Sequence, residues 1–125
     1  MKTILLFILI SCTLIFSDCK KSHDCGCVTY SSELIVLPTC ISDKIEEIKN
    51  EPVWNPPAEV YQYHYNGSIV YYITSHCCDI PSILYDENCN VICNPDGGFV
   101  GTGDERCPDF FSKRKCEVLV WKDGG

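Results

Sequence analysis

Eleven cysteines lie among the 125 residues, about 9% of the chain, a level at which a short sequence reads as a disulfide scaffold. Two of their arrangements suggest other chemistry. His23-x-Cys25-x-Cys27 and His76-Cys77-Cys78 mix imidazole with thiolate, a donor set that zinc accepts. Neither has the Cys-x2-Cys spacing of a zinc site, and an oxidising compartment would convert the thiols to disulfides. A bridge inside Cys25-Gly26-Cys27, or between Cys77 and Cys78, would be strained and easily reduced, as a redox pair must be. Neither pair is a Cys-x-x-Cys and no βαβ pattern surrounds them, so the cysteines read as staples.

Oxygen donors come next. Asp86-x-Asn88-x-Asn90 matches the opening of a calcium loop, but Val91 stands where the turn needs glycine and Gly97 where the bidentate glutamate belongs. A looser set, Asp96, Asp104 and Glu105, surrounds a Gly-rich stretch, where Asp, Asn and Gly equally serve as turn formers. No metal and no cofactor is expected. Hydrolysis needs a nucleophile beside a base, or two carboxylates set to different pKa values. There is no Gly-x-Ser-x-Gly elbow, and His64 sits among tyrosines on a strand pattern, so the chain is not expected to be an enzyme. Binding remains. Tyr61, Tyr63, Tyr65 and Tyr72 could form an aromatic platform for a glycan or peptide ligand. Trp54, on a proline-stiffened segment, could enter a partner's groove as in an exported inhibitor, or fold back over the domain.

The elements that would position these residues begin with a leader. Lys2 precedes an apolar run over residues 4–16, too short to span a bilayer and long enough for an export signal. The chain is therefore expected to carry a signal peptide over residues 1–18 and to be lipidated on Cys19, with Cys12 as the alternative. Phe16-Ser17-Asp18-Cys19 has the better length and Leu9-Ile10-Ser11-Cys12 the better local motif. Residues 19–38 would be a tether and 39–125 the domain. Removing Cys12 with the leader and Cys19 to the lipid leaves nine cysteines, an odd number; lipidation of Cys12 leaves ten. With 46% hydrophobic and 22% charged residues the domain can pack a core. Ten Lys and Arg against 17 Asp and Glu give a net charge of −7, which excludes a phosphate-tracking nucleic-acid binder.

Within the domain, Ile41, Ile45 and Ile48 make one apolar stripe, predicting a helix over 41–50, capped by Ser42 or Asp43 with Glu46 closing a capping box and Pro52 ending it. Residues 51–57 are proline-rich and extended. Residues 59–74 are two strand patterns joined by Asn66-Gly67, the favoured pair for a two-residue hairpin. That turn sets Tyr65 opposite Ser68, Tyr63 opposite Val70 and Tyr61 opposite Tyr72. One face then carries Tyr61, Tyr63, Tyr65, Val70 and Tyr72; the other carries Val60, Gln62, His64, Ile69, Tyr71 and Ile73, so both need cover. A second hairpin is expected from 83–85 and 91–93, then a Gly-rich loop, a short helix within 108–115 and a last strand over 117–121. The fold class is α+β, one main N-terminal helix packed on a small antiparallel sheet of hairpins, rich in disulfides.

Asn55-Pro56-Pro57, Tyr63-x-Tyr65-Asn66-Gly67, Cys77-Cys78-Asp79, Leu84-Tyr85-Asp86-Glu87-Asn88-Cys89-Asn90, Cys93-Asn94-Pro95-Asp96-Gly97-Gly98 and Gly101-x-Gly103-Asp104 with Cys107-Pro108-Asp109 carry a likeness. With them the chain resembles a domain-of-unknown-function family of small cysteine-rich envelope lipoproteins from Bacteroidota-type bacteria. The resemblance spans residues 39–122. It implies a lipid-anchored protein of the bacterial cell envelope, at the outer membrane, whose cysteine set is Cys40, Cys77, Cys78, Cys89, Cys93 and Cys107, enough for three bridges. It implies no activity. The expected role is a non-catalytic binding or structural module held at the membrane by its lipid.

Overall fold

The computed structural model describes residues 35–77 and 79–124. The expected signal peptide, Cys12, Cys19, Cys25, Cys27 and Cys78 lie outside them. Among the described residues two helices, α1 (Thr39–Lys49) and α2 (Phe110–Lys113), accompany five strands: β1 (Glu59–Tyr65), β2 (Ser68–Ile73), β3 (Ile83–Tyr85), β4 (Val91–Cys93) and β5 (Lys115–Lys122). The strands form one antiparallel sheet in the order β4-β3-β2-β1-β5, so the last strand lies beside the first. The protein is thus a mixed α/β domain on a small five-stranded sheet.

The central hairpin follows from its turn. Asn66 and Gly67 both take positive φ, 49° and 81°, as a two-residue turn matching the strand twist requires. The register is the one this turn dictates: Tyr65 pairs with Ser68, Tyr63 with Val70 and Tyr61 with Tyr72. Alternation along β1 and β2 then sends side chains to two separate cores. On one face Ile41, Ile45 and Ile48 of α1 pack with Val60, Tyr71, Ile73 and Tyr85. On the other, Tyr63, Tyr65, Val70 and Tyr72 pack with Leu84, Cys93, Cys107 and Phe110.

Helix α1 starts earlier than its sequence suggests. Pro38, not Ser42 or Asp43, stands at its N-cap, and no side chain caps it; the Pro38 carbonyl accepts the N–H groups of Ile41 and Ser42. The expected capping box is therefore replaced. Proline's fixed φ sets the first turn, which holds Cys40, and Glu46 pairs with Lys49 at 2.7 Å. At the other end Asn50 donates its N–H to Glu47 before Pro52.

Two bridges tie these layers. Cys40–Cys89 joins α1 to the β3–β4 turn across 49 residues, and Cys93–Cys107 joins β4 to the approach to α2 across 14. By the chain-entropy argument each contributes about 3–4 kcal/mol. Cys77 and Cys116 are disulfide-bonded as well. Among the described residues no helix is long and apolar enough to cross a membrane.

Candidate functional site

The four tyrosines of the expected platform do share a face, but it is not an open one. Tyr63, Tyr65 and Tyr72 are only 2%, 6% and 8% exposed, and Tyr61 is half-buried beside them. The cover is Phe110, fully buried, which meets Tyr63 and Tyr65 edge-to-face at 5.6 and 5.3 Å and Tyr72 at 5.8 Å. Arg114 then lies over the rings of Tyr63 and Phe111 at 4.9 and 4.8 Å. Tyr63, Tyr65 and Tyr72 are thus core, with Tyr61 at its margin, because α2 follows the Cys93–Cys107 bridge onto them.

Each phenol donates to a carboxylate: Tyr61 to Glu59, Tyr63 to Glu117 and Tyr65 to Asp109, all at 2.6 Å, and Tyr72 to Asp96. An acceptor carboxylate holds the proton on the phenol. The bond to Glu59 pushes Tyr61 up to about 12. Burial, then Glu117, raises Tyr63; burial, then Asp96, raises Tyr72; and the bond to Asp109 raises Tyr65. In return Lys122 and Tyr61 lower Glu59, and Lys113 and Tyr65 lower Asp109. This face spends its polar groups on one another.

The oxygen-donor candidates are likewise engaged. Asp86 accepts the N–H groups of Asn88 and Asn90 and the Asn90 side-chain amide at 2.8–2.9 Å, which lowers its pKa, so it organises its own turn. Asp96 accepts the Ser82 N–H as well as the Tyr72 hydroxyl, and Asp104 accepts the Arg106 N–H. Among the described residues no three His, Cys, Asp or Glu are grouped to hold a metal ion. One buried oxygen, Oδ2 of Asp123, has no protein hydrogen-bond partner.

The opposite face is covered by α1 except at a cleft. A cleft of about 250 Å³ lies between α1, the proline-rich segment, the end of β2 and β3. Trp54 folds back into it: its ring is 4.7 Å from that of His76, and its indole N–H donates to Glu51 at 2.9 Å. Lys44 holds its amine 4.7 Å from the centre of the Tyr85 ring. Glu47 and Glu51 complete a rim above Ile73 and Ile83. A larger space of about 570 Å³, beside Gln62, Ile69 and Tyr71, is walled by residues 35–38, where the described chain begins.

The Gly-rich loop stands at one end of the smaller cleft. Gly97 packs on Pro81 so closely that a Cβ would fall 2.4 Å from the Pro81 Cα, and Ile80 and Pro81 line the cleft. The Gly98 N–H bonds Asp79, Gly103 bonds Gly97, and Asp104 bonds Asn94. At the tip of this stitched loop Phe99 is 99% exposed and Val100 76%. Of these features the sequence singled out Trp54, and His76 only as a zinc-donor candidate. His76 and Tyr85 enter only through contacts between distant segments, but Phe99-Val100 between glycine pairs was a visible signal of an apolar tip.

The fold and these two surfaces define a small, disulfide-stapled mixed α/β domain with one sealed sheet face and one that α1 covers except at a cleft. The sequence model of DUF6970, a domain of unknown function, matches residues 46–123, and the chain belongs to that family. The match takes in all five strands and the Trp54 cleft from Glu47 onward; Cys40 and Lys44 precede it. No curated protein and no solved structure matches the chain.

Proposed function

We propose that the protein is an exported, non-catalytic binding module that holds a glycan or peptide ligand in the Trp54 cleft. In this reading the signal peptide is removed and Cys19, or alternatively Cys12, carries a lipid. Residues 19–38 tether the domain to the outer membrane of a Bacteroidota-type envelope, and α1 is its one main helix, packed on the sheet.

The observation that carries the reading is the contrast in commitment of side chains. The tyrosine face satisfies its own hydroxyls, whereas Trp54, His76 and Tyr85 line an open cleft with an apolar floor and a polar rim. Such a mixture orients a ligand and holds it. The nearby serine is structural: Ser82 accepts the Ser75 N–H through its hydroxyl.

The test is titration of the mature, oxidised protein with short peptides and oligosaccharides, followed by NMR shifts and tryptophan fluorescence. Shifts confined to Trp54, His76 and Tyr85, lost in Trp54→Phe, are expected. Shifts at Tyr63 and Tyr65 with none in the cleft would overturn the assignment. Intact mass of envelope-derived protein tests the anchor, with a lipid adduct on the N-terminal cysteine as the expected result and an unmodified mature chain as the refuting one.

A further inference from the structure

Resting on the reading of the cleft as a binding site, we propose that its ligand is a polypeptide segment that places a cationic side chain, arginine best of all, beside Trp54 and an apolar neighbour against the Phe99–Val100 tip. Charge points to the cation. Glu46 is taken by Lys49, whereas Glu47 and Glu51, the latter also accepting the Trp54 indole N–H, border the cleft, where among the described residues Lys44 alone is positive. The rim therefore carries one net negative charge, on a chain whose total is −7. Lys44 on Tyr85 already shows one cation resting on an aromatic wall of this cleft. A guanidinium can stack on indole while its fork meets carboxylates, a pairing that ammonium satisfies less well. Arg114 over Tyr63 and Phe111, with Glu117 at 3.8 Å, makes the same combination on the sealed face.

Size points to a polypeptide. At about 250 Å³ the cleft falls below the roughly 300–1,000 Å³ of small-molecule sites and suits a single side chain. The adjoining tip is apolar and held in place before any partner arrives. A fully exposed aromatic on such a loop is an anchor whose backbone is already ordered by folding, leaving only the side-chain rotamer to be fixed on binding. Gly97 on Pro81 joins the tip to the cleft wall, so one extended segment can touch both.

The probe is a fluorescein-labelled pentapeptide with arginine between two leucines, read by anisotropy against the mature, oxidised protein. Its controls are the same peptide with neutral, isosteric citrulline, and labelled chitohexaose. Citrulline should weaken binding about tenfold, as should Glu47→Gln with Glu51→Gln, because charge-assisted bonds are lost. Phe99→Ala should weaken it about threefold to tenfold by removing an anchor while leaving the charge dependence intact. Raising the salt should weaken the arginine peptide and not the citrulline one. Equal binding of the two peptides, or no effect of Phe99→Ala, overturns the inference. If chitohexaose binds in the cleft and the arginine peptide does not, the inference fails while the cleft stands as a binding site; if no probe binds, both fail.

Discussion

The two faces of one sheet have opposite fates. Both are rich in aromatic residues, and both are tied by a disulfide to the chain that covers them. On the Tyr63 face the cover is a single turn of helix, and Phe110 fits so closely that the rings are sealed and their hydroxyls bonded to carboxylates. On the Tyr71 face the cover is the longer α1, yet it leaves Trp54, His76 and Tyr85 bordering a cleft. A longer helix does not close a face more completely. What closes it is a side chain whose shape fills the gap, and the open face lacks a counterpart of Phe110 at its Trp54 end.

Truncation should break the symmetry most visibly. Phe110→Ala leaves a cavity beneath four aromatic neighbours and should cost about 3–5 kcal/mol in urea unfolding. Trp54→Ala removes a half-buried ring from a cleft already open to water, and about 1 kcal/mol is expected. Equal losses would show that the cleft is as much core as the tyrosine layer. Next in size is the bridge beneath the sealed face. Replacing Cys93 and Cys107 together by alanine should cost about 3 kcal/mol and loosen Phe110 over the tyrosines. Protection of the Tyr63 and Tyr65 amides from hydrogen exchange should fall with it, and unchanged protection would mean that Phe110 needs no tether.

Much of this arrangement was legible in the residue order. Asn66-Gly67 fixes a two-residue turn, which fixes the register, which in turn assigns every residue of β1 and β2 to a face. The stripe Ile41, Ile45, Ile48 likewise identifies the buried side of α1. The helix start was not legible, because Ser42 and Asp43 are good caps in isolation and Pro38 prevails only through the backbone. Nor was the fate of the tyrosines. Alternation says that Tyr63 and Tyr65 face the same way, but their burial depends on Phe110, some 45 residues away, being delivered by a disulfide-tied loop. The cleft is further still from local pattern, since four separated segments build it.

A titration sharpens the comparison from the side of the protons. Below the ordinary tyrosine pKa of 10.0, Tyr61 is protonated both folded and unfolded, and the stability from its raised folded value is fully present. That contribution is lost as pH rises from 10.0 through about 12. Tyr63, Tyr65 and Tyr72 are raised in the same direction, so stability should fall steadily above pH 10.0. Phenolate absorbance should lag behind that of the urea-unfolded chain. Superimposable curves for the folded and unfolded protein would refute the carboxylate pairing.

The smallest expected effect isolates one pair. Asp109 is held below 3.8 first by Lys113, at 2.6 Å, and second by the Tyr65 hydroxyl. Tyr65→Phe keeps the ring against Phe110 and removes only the donor, so the stability loss should stay near 1 kcal/mol. A lowered carboxylate pKa contributes stability above the unfolded value and loses it as pH falls through the folded one. In the variant, the carboxyl carbon of Asp109 should therefore titrate at higher pH than in the wild type, yet still below 3.8 because Lys113 remains. An unmoved midpoint would mean that this hydroxyl is not committed to Asp109, and that the sealed face has, at its Tyr65 edge, a polar group free to meet a ligand after all.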